Sequence, residues 1–358
     1  MGVTLSREMA GRGIWRGMRM IDRRRCMSLA GAAFAAVLTS GTALSQAVPP
    51  ATQTEPIPVA SAAERALLRD AIDIHSHLDP DSFGPHSGQA ARRLDVIDMA
   101  VRAKAAGMRG FVIKQHYDQT AQLAYLARKA VPGVEVFGQL CLNLTVGGLN
   151  PEAVNHFAEV KGGFARIVSM PTWDASNNAV KSRDPARKAV AVSSGGALLP
   201  ETKAVIAAVA AARTRDSGAS LALATGHVSP AEALMIIREA RSQGISRIVV
   251  THAMGHPVDM SLDQMKEAVA QGAYIEFAGG FVMSKASPHT VQQNVDAIRA
   301  LGPAHVILSS DSGQVGQPYP DDMIAMMAGR LRELGLTTAE LRQMMVDNPA
   351  ALLGLGSR

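Results

Sequence analysis

Cysteine is nearly absent from this 358-residue chain, which has only Cys26 and Cys141. Cys26 lies in an N-terminal stretch that we expect to be cleaved off, so Cys141 is expected to be the only cysteine of the mature protein. A single cysteine excludes an internal disulfide. The mature fold must therefore be held together without the crosslinks that are common in oxidising compartments.

The chain also lacks a long apolar run, a nucleotide-binding glycine motif and an excess of positive charge beyond its N-terminus. The apolar stretch 28–38 is too short to span a membrane, and no GxGxxG or P-loop motif follows a predicted strand. The net charge is +5, but residues 1–47 hold seven arginines against Glu8 and Asp22 and account for all of it. We therefore expect a small-molecule partner, no nucleic-acid binding and no stable membrane insertion after cleavage. The sequence indicates no particular oligomeric state.

Residues 1–47 have the organisation of an export signal. Arg23-Arg24-Arg25 precede the apolar stretch, and Ser45-Gln46-Ala47 offers small residues at the two positions that a signal peptidase reads. The paired arginines resemble a twin-arginine signal, which exports folded proteins. We predict cleavage and a periplasmic destination. The alternatives are an N-terminal membrane anchor and a true start at Met18 or Met20.

We predict that residues 48–66 form a flexible lead-in, because they begin with a stretch rich in proline, threonine and glutamine. Residues 67–358 are predicted to form a single domain. In that domain, short aliphatic runs alternate with amphipathic stretches typical of helices. The runs are mostly apolar throughout, as parallel strands covered on both faces are. The predicted strands are Ala71–His75, Gly110–Lys114, Val134–Leu140, Ala165–Ser169, Leu221–Ala224, Arg247–Thr251, Ala273–Phe277 and Val306–Ser310. This alternation predicts a (β/α)8 barrel; a doubly wound open sheet is the alternative.

The connection after the fourth predicted strand is unusually long. Residues 171–200 contain Trp173, several polar residues and Ser193-Ser194-Gly195-Gly196. We interpret them as an insertion over the barrel mouth that is a candidate lid. Asp174 within it is expected to be solvated.

Polar residues concentrate at the C-terminal ends of the predicted strands, where (β/α)8 barrels place their functional groups. The most informative group is Asp73-Ile74-His75-Ser76-His77, because side chains two apart on a strand leave the same face. Two imidazoles at a strand end form half of a site for zinc or a similar divalent ion. The other strand ends carry Lys114, His116, His227, His252, His256 and Asp311.

This arrangement resembles the amidohydrolase superfamily of metal-dependent hydrolases over about residues 68–356. The resemblance rests on the HxH pair after strand one, on His227, His252 and Asp311 after strands five, six and eight, and on the C-terminal Asn348-Pro349-Ala350. It implies that His75 and His77 bind one divalent ion, with Asp311 as a ligand and proton acceptor. It implies that His227 binds this ion or a second one. His252 is then a ligand of a second ion or a polarising group in a one-metal site.

The chain departs from the superfamily pattern at strand four, which would make it an atypical branch. Many two-metal members carry a carbamylated lysine or a glutamate there, but residues 165–169 offer neither. Lys114 is therefore interpreted as a carbamate bridge between two ions or as an ammonium that orients substrate, with a rim ion pair as the alternative. His116 and His256 are candidates for contacting the substrate or supporting the ligands. Glu276 is a candidate for orienting a ligand histidine.

The resemblance implies metal-assisted hydrolysis with one or two divalent ions, which we expect to be zinc. The ion lowers the pKa of bound water toward neutrality, and the hydroxide attacks a carbonyl or phosphoryl centre while Asp311 accepts and returns the proton. Lys114 or His252 would stabilise the developing negative charge. The expected substrates are amides, cyclic amides, lactones or related esters. Two alternatives stay open: a metal-dependent lyase, such as a decarboxylase, and an exported barrel that only binds a small molecule.

Overall fold

A computed structural model describes residues 56–82, 91–182 and 187–356 of the chain. Within these ranges eight parallel strands form a barrel surrounded by helices, which confirms the predicted architecture. The barrel strands are β1 (Ile72–Ser76), β2 (Gly110–Ile113), β3 (Glu135–Cys141), β4 (Ala165–Ser169), β5 (Ala222–Ala224), β6 (Ile248–Val250), β7 (Tyr274–Ala278) and β8 (Val306–Ser309). Each lies where a strand was predicted. The predicted export signal lies outside the described residues.

The α-helices surround the strands and follow them in sequence. In chain order they are α1 (Ala62–Arg65), α2 (Val96–Ala105), α3 (Ala121–Ala130), α4 (Pro151–Ala158), α5 (Ser176–Ser182), α6 (Pro200–Ala211), α7 (Pro230–Ser242), α8 (Leu262–Ala270), α9 (Gly279–Val282), α10 (Val291–Leu301), α11 (Pro320–Glu333), α12 (Thr338–Arg342) and α13 (Asn348–Leu353). Short 3₁₀ turns cover Ala66–Leu68, Leu144–Val146 and Pro303–His305, and a π-helical turn covers Gln343–Asp347. Among the described residues, no helix is long and apolar enough to cross a membrane.

The barrel closes where the ends of β8 and β1 meet. The backbone N–H of Asp311 donates to the carbonyl of His75, and that of His77 donates to the carbonyl of Ser312, each at 2.9 Å. The strand order therefore runs from β1 to β8 around the barrel. Closure places the end of β1, with His75 and His77, beside Asp311, which follows β8.

Two apolar clusters hold the barrel together. The larger one fills the layer between strands and helices, and the smaller one fills the barrel interior. The interior cluster contains Ile72, Ile74, Val112, Phe137, Ile167, Ala222, Ala224, Val249 and Ile307, together with Ala350, Leu352 and Leu353 of α13. Asn348, at the start of α13, donates from Nδ2 to the carbonyls of Pro303 (2.8 Å) and Val306 (2.6 Å). The C-terminal helix is thus fastened to the start of β8.

The end of the expected flexible lead-in is part of the folded domain. Ser61 and Glu64 form a capping box at the start of α1, which supplies partners for the otherwise unpaired N–H groups of the first turn. Arg65 then forms ion pairs with the buried carboxylates of Asp321 and Asp322 in α11. Residues 48–55 of the expected lead-in lie outside the described residues.

The insertion after β4 contains secondary structure of its own. It includes helix α5 and a two-stranded antiparallel hairpin formed by Ser193–Ser194 and Ala197–Leu198. Asp174 is buried rather than solvated, because its carboxylate accepts the backbone N–H of Leu144 at 2.9 Å. This contact joins the start of the insertion to the loop after β3.

Candidate metal centre

The two histidines of β1 reach the barrel mouth together. Pairing between β1 and β2 is irregular between Asp73 and Ser76, so Ile74 packs in the barrel interior while His75 lines the cavity above it. The ring centroids of His75 and His77 are 5.2 Å apart. The HxH pair therefore converges on one site.

Asp73 anchors this strand end, and sequence reasoning gave it no role. Its buried carboxylate accepts the hydroxyls of Ser76 (2.6 Å) and Ser310 (2.5 Å) as well as the backbone N–H groups of His75 and Ser310. These bonds join β1 to the end of β8. The signal available in the sequence was an acidic residue inside an otherwise apolar strand.

Asp311 completes a compact donor cluster with the HxH pair. Its Oδ1 lies 3.1 Å from His75 Nε2 and 3.0 Å from His77 Nε2. One ligand atom from each of the three side chains can be chosen so that all lie within 4.8 Å of one another. Asp311 has a positive φ of 45°, a conformation uncommon outside glycine.

Glu276 on β7 supports this cluster from behind. Its Oε1 lies 2.9 Å from His75 Nδ1 and accepts the hydroxyl of Ser309 at 2.6 Å, and its Oε2 accepts the backbone N–H of His252 at 2.8 Å. A carboxylate on Nδ1 fixes the ring and leaves Nε2 for a metal. The structure therefore places Glu276 where an orienting residue would stand.

His227 and His252 form a second pair beside the first cluster. Their Nε2 atoms are 3.1 Å apart, and His252 has a positive φ of 24°. Gly226, with φ of 65°, allows the backbone before His227 to approach β4, since a Cβ there would lie 2.4 Å from the carbonyl oxygen of Met170. His227 N then donates to the carbonyl of Pro171 at 2.9 Å.

Lys114 and His116 both line the same cavity. Lys114 is fully buried, and its Nζ forms no hydrogen bond or ion pair within the part of the chain that the structure describes, so the alternative of a rim ion pair is not seen there. His116 packs between the rings of His77 and Trp173, with centroid distances of 5.2 and 5.4 Å. Its Nδ1 lies 2.8 Å from the hydroxyl of Thr172.

His256 stands apart from the other histidines. Its side chain is 58% exposed at the cavity rim, and its Nδ1 is 3.5 Å from Asp259. It therefore contributes to the entrance rather than to the buried donor set.

The donor set lies at the bottom of a cavity of about 420 Å³, within the range typical of small-molecule sites. Sequence reasoning missed several of its walls because they lie in segments without a metal-ligand signature. These are Arg92, Asn178, Phe281, Gln314, Val315 and Gln317, together with Trp173, which was noted only as part of the insertion. The insertion thus forms part of the cavity wall.

The electrostatics of the cluster couple Asp311 to His75. Burial by itself raises the pKa of Asp311, but the charge of His75 and hydrogen bonds from His75 and His77 outweigh it and hold that pKa well below its usual range. Burial lowers the pKa of His75, yet Asp311 and Glu276 outweigh it and raise the value to about 9. Glu276 stays ionised because His75 lowers its pKa to about 2 against the effect of burial.

The remaining buried histidines are neutral. Burial lowers the pKa of His77 to about 3 and that of His252 to about 4, and it holds those of His116 and His227 well below their usual range. Neutral imidazole is the form that binds metal ions. These four histidines are therefore in the metal-binding form, whereas His75 would have to release its proton to bind an ion.

The spacing of the donor atoms also fits a divalent ion. Ligands of a tetrahedral zinc ion lie about 3.3 Å from one another, given metal–ligand bonds of about 2.0–2.1 Å. The contacts of Asp311 with His75 (3.1 Å) and with His77 (3.0 Å) are close to this length, and so is the contact between His227 and His252 (3.1 Å). The Nδ1 atoms of His77, His227 and His252 are buried with no hydrogen-bond partner among the described residues, so these rings lack the carboxylate contact that Glu276 makes with Nδ1 of His75.

The fold and this site together define a (β/α)8 barrel with a histidine-rich centre at the C-terminal ends of its strands. Residues 70–276 match a family model described as a family of unknown function (DUF6282), so the chain belongs to that family. A search of curated proteins gave no match.

Similar solved structures agree on the fold. An organophosphorus hydrolase from Deinococcus radiodurans has a TM-score of 0.54 and 16% sequence identity, covering 84% of this chain and 98% of that chain. A structure described as engineering of organophosphate hydrolysis activity from a weak promiscuous lactonase template has a TM-score of 0.54 and 15% identity, covering 82% and 98%. At this identity the similarity establishes the shared barrel and no more.

Proposed function

We propose that the protein is a metal-dependent hydrolase of the amidohydrolase type that acts on an amide, cyclic amide, lactone or ester. The observation that carries this proposal is the convergence of His75, His77 and Asp311 at the bottom of a cavity at the strand ends. The histidine pair beside it and the carboxylate behind His75 support it. Further support comes from the similar structures, which are described as an organophosphorus hydrolase and as an organophosphate-hydrolysing variant engineered from a lactonase template.

In this proposal His75, His77 and Asp311 hold a zinc ion, and His227 and His252 bind the same ion or a second one. A bound zinc ion would lower the pKa of a water molecule and polarise the bond to be cleaved. The ligand atoms are Nε2 of the imidazoles and Oδ1 of Asp311, which already face one another. Glu276 would keep His75 in the required orientation.

Asp311 is the proposed proton carrier. The charge of His75 and the hydrogen bonds from His75 and His77 keep the carboxylate ionised, and only the ionised form can accept a proton from the attacking water. While Oδ1 faces the histidines, the other carboxylate oxygen would take that proton and pass it to the leaving group.

Lys114 is the proposed source of positive charge beside the reacting bond. A buried ammonium without an anionic partner is costly, and a developing oxyanion would supply such a partner. The alternative is a carbamate on Lys114 that bridges two ions. We therefore propose that Lys114 acts in one of these two forms rather than as a structural residue.

Metal content per chain separates the two forms of Lys114. The parent protein, Lys114→Ala and the surface control His156→Gln would be purified without chelator and measured by elemental analysis. Two ions per parent chain that fall to one or none in Lys114→Ala would establish the bridge. A single ion that Lys114→Ala retains, with activity lost, would establish the ammonium. Full activity of Lys114→Ala would exclude both.

The reaction class is tested with p-nitrophenyl acetate, δ-valerolactone, dihydrouracil and diethyl p-nitrophenyl phosphate in ¹⁸O-labelled water. A hydrolase places solvent oxygen in a product. Asp311→Asn is expected to lower kcat by roughly 10²- to 10⁴-fold, the usual contribution of general acid–base catalysis. Full turnover of Asp311→Asn with metal still bound would contradict the proposal. Turnover without label incorporation would exclude hydrolysis. Metal binding without turnover would leave the lyase and the binding barrel, since none of these compounds carries a carboxylate that a decarboxylase could remove.

We also propose that the protein is exported to the periplasm by the twin-arginine route. The support is the order of arginines, apolar stretch and small residues within residues 1–47. N-terminal sequencing of the mature protein is expected to give Val48 as its first residue. Replacing Arg23-Arg24-Arg25 by lysines should leave the precursor uncleaved in the cytoplasm, and an unchanged mature protein would contradict the proposal.

A further inference from the structure

Asn143 forms a buried polar network that joins the ends of β2, β3 and β4. Its Oδ1 accepts the backbone N–H groups of Thr172 (2.9 Å) and Asp174 (3.1 Å). Its Nδ2 donates to the carbonyl of His116 (2.6 Å) and to the hydroxyl of Thr172 (2.7 Å). Backbone N–H groups can only donate, so they fix which atom of the Asn143 amide is the oxygen.

The direction of the next hydrogen bond follows from this network. Thr172 Oγ1 already accepts from Asn143, and its own hydrogen needs an acceptor. His116 Nδ1 lies 2.8 Å away, and the thiol of Cys141 is the competing neighbour. An imidazole nitrogen is a much stronger acceptor than a thiol sulfur. Thr172 therefore donates to His116 Nδ1.

If Nδ1 of neutral His116 accepts, its proton must be on Nε2. Nε2 of His116 has no hydrogen-bond partner among the described residues. It is not one of the polar atoms there that are both buried and unpaired, so it is accessible from the cavity. Since His116 lines the cavity, Nε2 faces the space above the metal ligands. The ring of Trp173 stacks on the imidazole and the ring of His77 lies tilted beside it, and these contacts restrict its orientation.

We propose that Thr172 and Asn143 hold His116 as its Nε2–H tautomer and that His116 donates this hydrogen to a carbonyl or phosphoryl oxygen of the substrate. His116 is then a substrate-contacting hydrogen-bond donor and not a metal ligand, because a protonated nitrogen has no lone pair to coordinate. Thr172 and Asn143 are positioning residues. The tautomer follows from the network itself, whereas the contact with substrate rests on the proposed hydrolase function.

The tautomer is measured directly by long-range ¹H–¹⁵N NMR of ¹⁵N-histidine-labelled, zinc-loaded protein, with the His116 signals assigned from His116→Gln. The expected result is a protonated Nε2 and an unprotonated Nδ1. Thr172→Ser retains the hydroxyl and is expected to keep this pattern, whereas Thr172→Val is expected to lose it. A protonated Nδ1 in the parent, or a pattern that Thr172→Val leaves unchanged, would overturn the assignment whether or not the protein is a hydrolase.

The contact with substrate is measured by steady-state kinetics on whichever panel compound the parent hydrolyses. Removing one positioned donor typically lowers kcat by about 10²-fold or more, and we expect a loss of this order in His116→Phe, with zinc content retained. His116→Gln, which can still donate, should recover part of the loss, and His156→Gln should match the parent. Full activity of His116→Phe, or loss of zinc from it, would refute the assigned role. A parent that hydrolyses nothing defeats the proposed function and the substrate contact but leaves the tautomer result standing.

Discussion

Single residues decide how the strand ends present their ligands. His252 and Asp311 have φ values of 24° and 45°, and Gly226 has 65° just before His227. In His252 and Asp311 such a conformation stores strain, as it does in many functional sites, whereas glycine adopts it without steric cost. Strand periodicity cannot produce them, because a regular strand keeps φ negative. They turn three side chains from different strands toward one point.

Gly226→Ala is expected to disrupt the second histidine pair. The added Cβ would lie 2.4 Å from the carbonyl oxygen of Met170 and 2.5 Å from that of Pro171, so β4 and β5 would have to separate. We expect a loss of roughly 2–4 kcal/mol in the free energy of unfolding and reduced zinc content.

Gly244→Ala is the matched control for strain alone, because Gly244 has a φ of 85° but open space around its Cβ position. It should cost only about 1–2 kcal/mol and keep the zinc content of the parent. Equal zinc content in Gly226→Ala and the parent would contradict the role given to Gly226.

The buried thiol of Cys141 is expected to be unreactive. Burial raises its pKa to about 11, whereas an exposed thiol has a pKa of about 8.5. At pH 8.5 a thiol reagent such as DTNB should therefore label the protein only after denaturation. The thiol's contribution to stability is fully present below its unfolded pKa and is lost as the pH rises toward 11. Rapid labelling of the native protein at pH 8.5 would show that Cys141 is accessible.

At the level of elements, helix starts are encoded locally. Ser61, Ser229, Ser261, Thr290 and Thr337 each cap a helix and form a capping box with Glu or Gln three residues later. The strands were also located from sequence, since an apolar run between two amphipathic stretches has few other conformations available. The irregular pairing of β1 with β2 near His75 was not predicted from sequence, because it depends on contacts with neighbouring strands.

Ser261→Ala is expected to destabilise the protein by about 1 kcal/mol, the usual cost of losing an N-cap. The side chain of Ser261 accepts the backbone N–H of Gln264 at the start of α8. Chemical denaturation would compare Ser261→Ala with the control Ser242→Ala, near the end of α7. The control should change stability by less than about 0.5 kcal/mol. Equal stabilities of the two variants would mean that the cap contributes nothing.

At the level of the whole molecule, helix α1 is tied to helix α11, which follows Asp311, the proposed metal ligand after β8. Arg65 and Arg102 share the buried carboxylates of Asp321 and Asp322 at the start of α11. The loop between Asp311 and α11 is therefore held at both ends. This arrangement makes the segment before β1 part of the structure that supports the site.

Arg65→Ala is expected to lower the free energy of unfolding by about 2 kcal/mol, because it removes charge-assisted hydrogen bonds from buried carboxylates. Arg69→Ala is the control, since Arg69 is exposed on the same segment and should have little effect. Chemical denaturation compares the two. An Arg65→Ala variant as stable as the parent would show that α1 is dispensable.

Zinc is expected to stabilise the folded chain. At a free concentration of 100 times its dissociation constant, a ligand adds about 2.7 kcal/mol, which corresponds to a rise of roughly 5 °C in Tm for a domain of this size. Dialysis against a chelator should lower Tm, and zinc should restore it. In the double variant His75→Ala/His77→Ala the addition of zinc should leave Tm nearly unchanged, and a rise equal to that of the parent would place the ion elsewhere.

The sequence by itself determined the eight strand positions, the helix starts and the polar residues that could serve as ligands, because these depend on local periodicity and side-chain chemistry. It also singled out Glu276, although its contact with His75 spans 201 positions. Only the tertiary structure decided that Asp73 joins β1 to β8, that Asp174 is buried and that Asn143 positions Thr172 beside His116. These outcomes depend on distances between segments that are separated in the chain, and only the folded barrel brings those segments together.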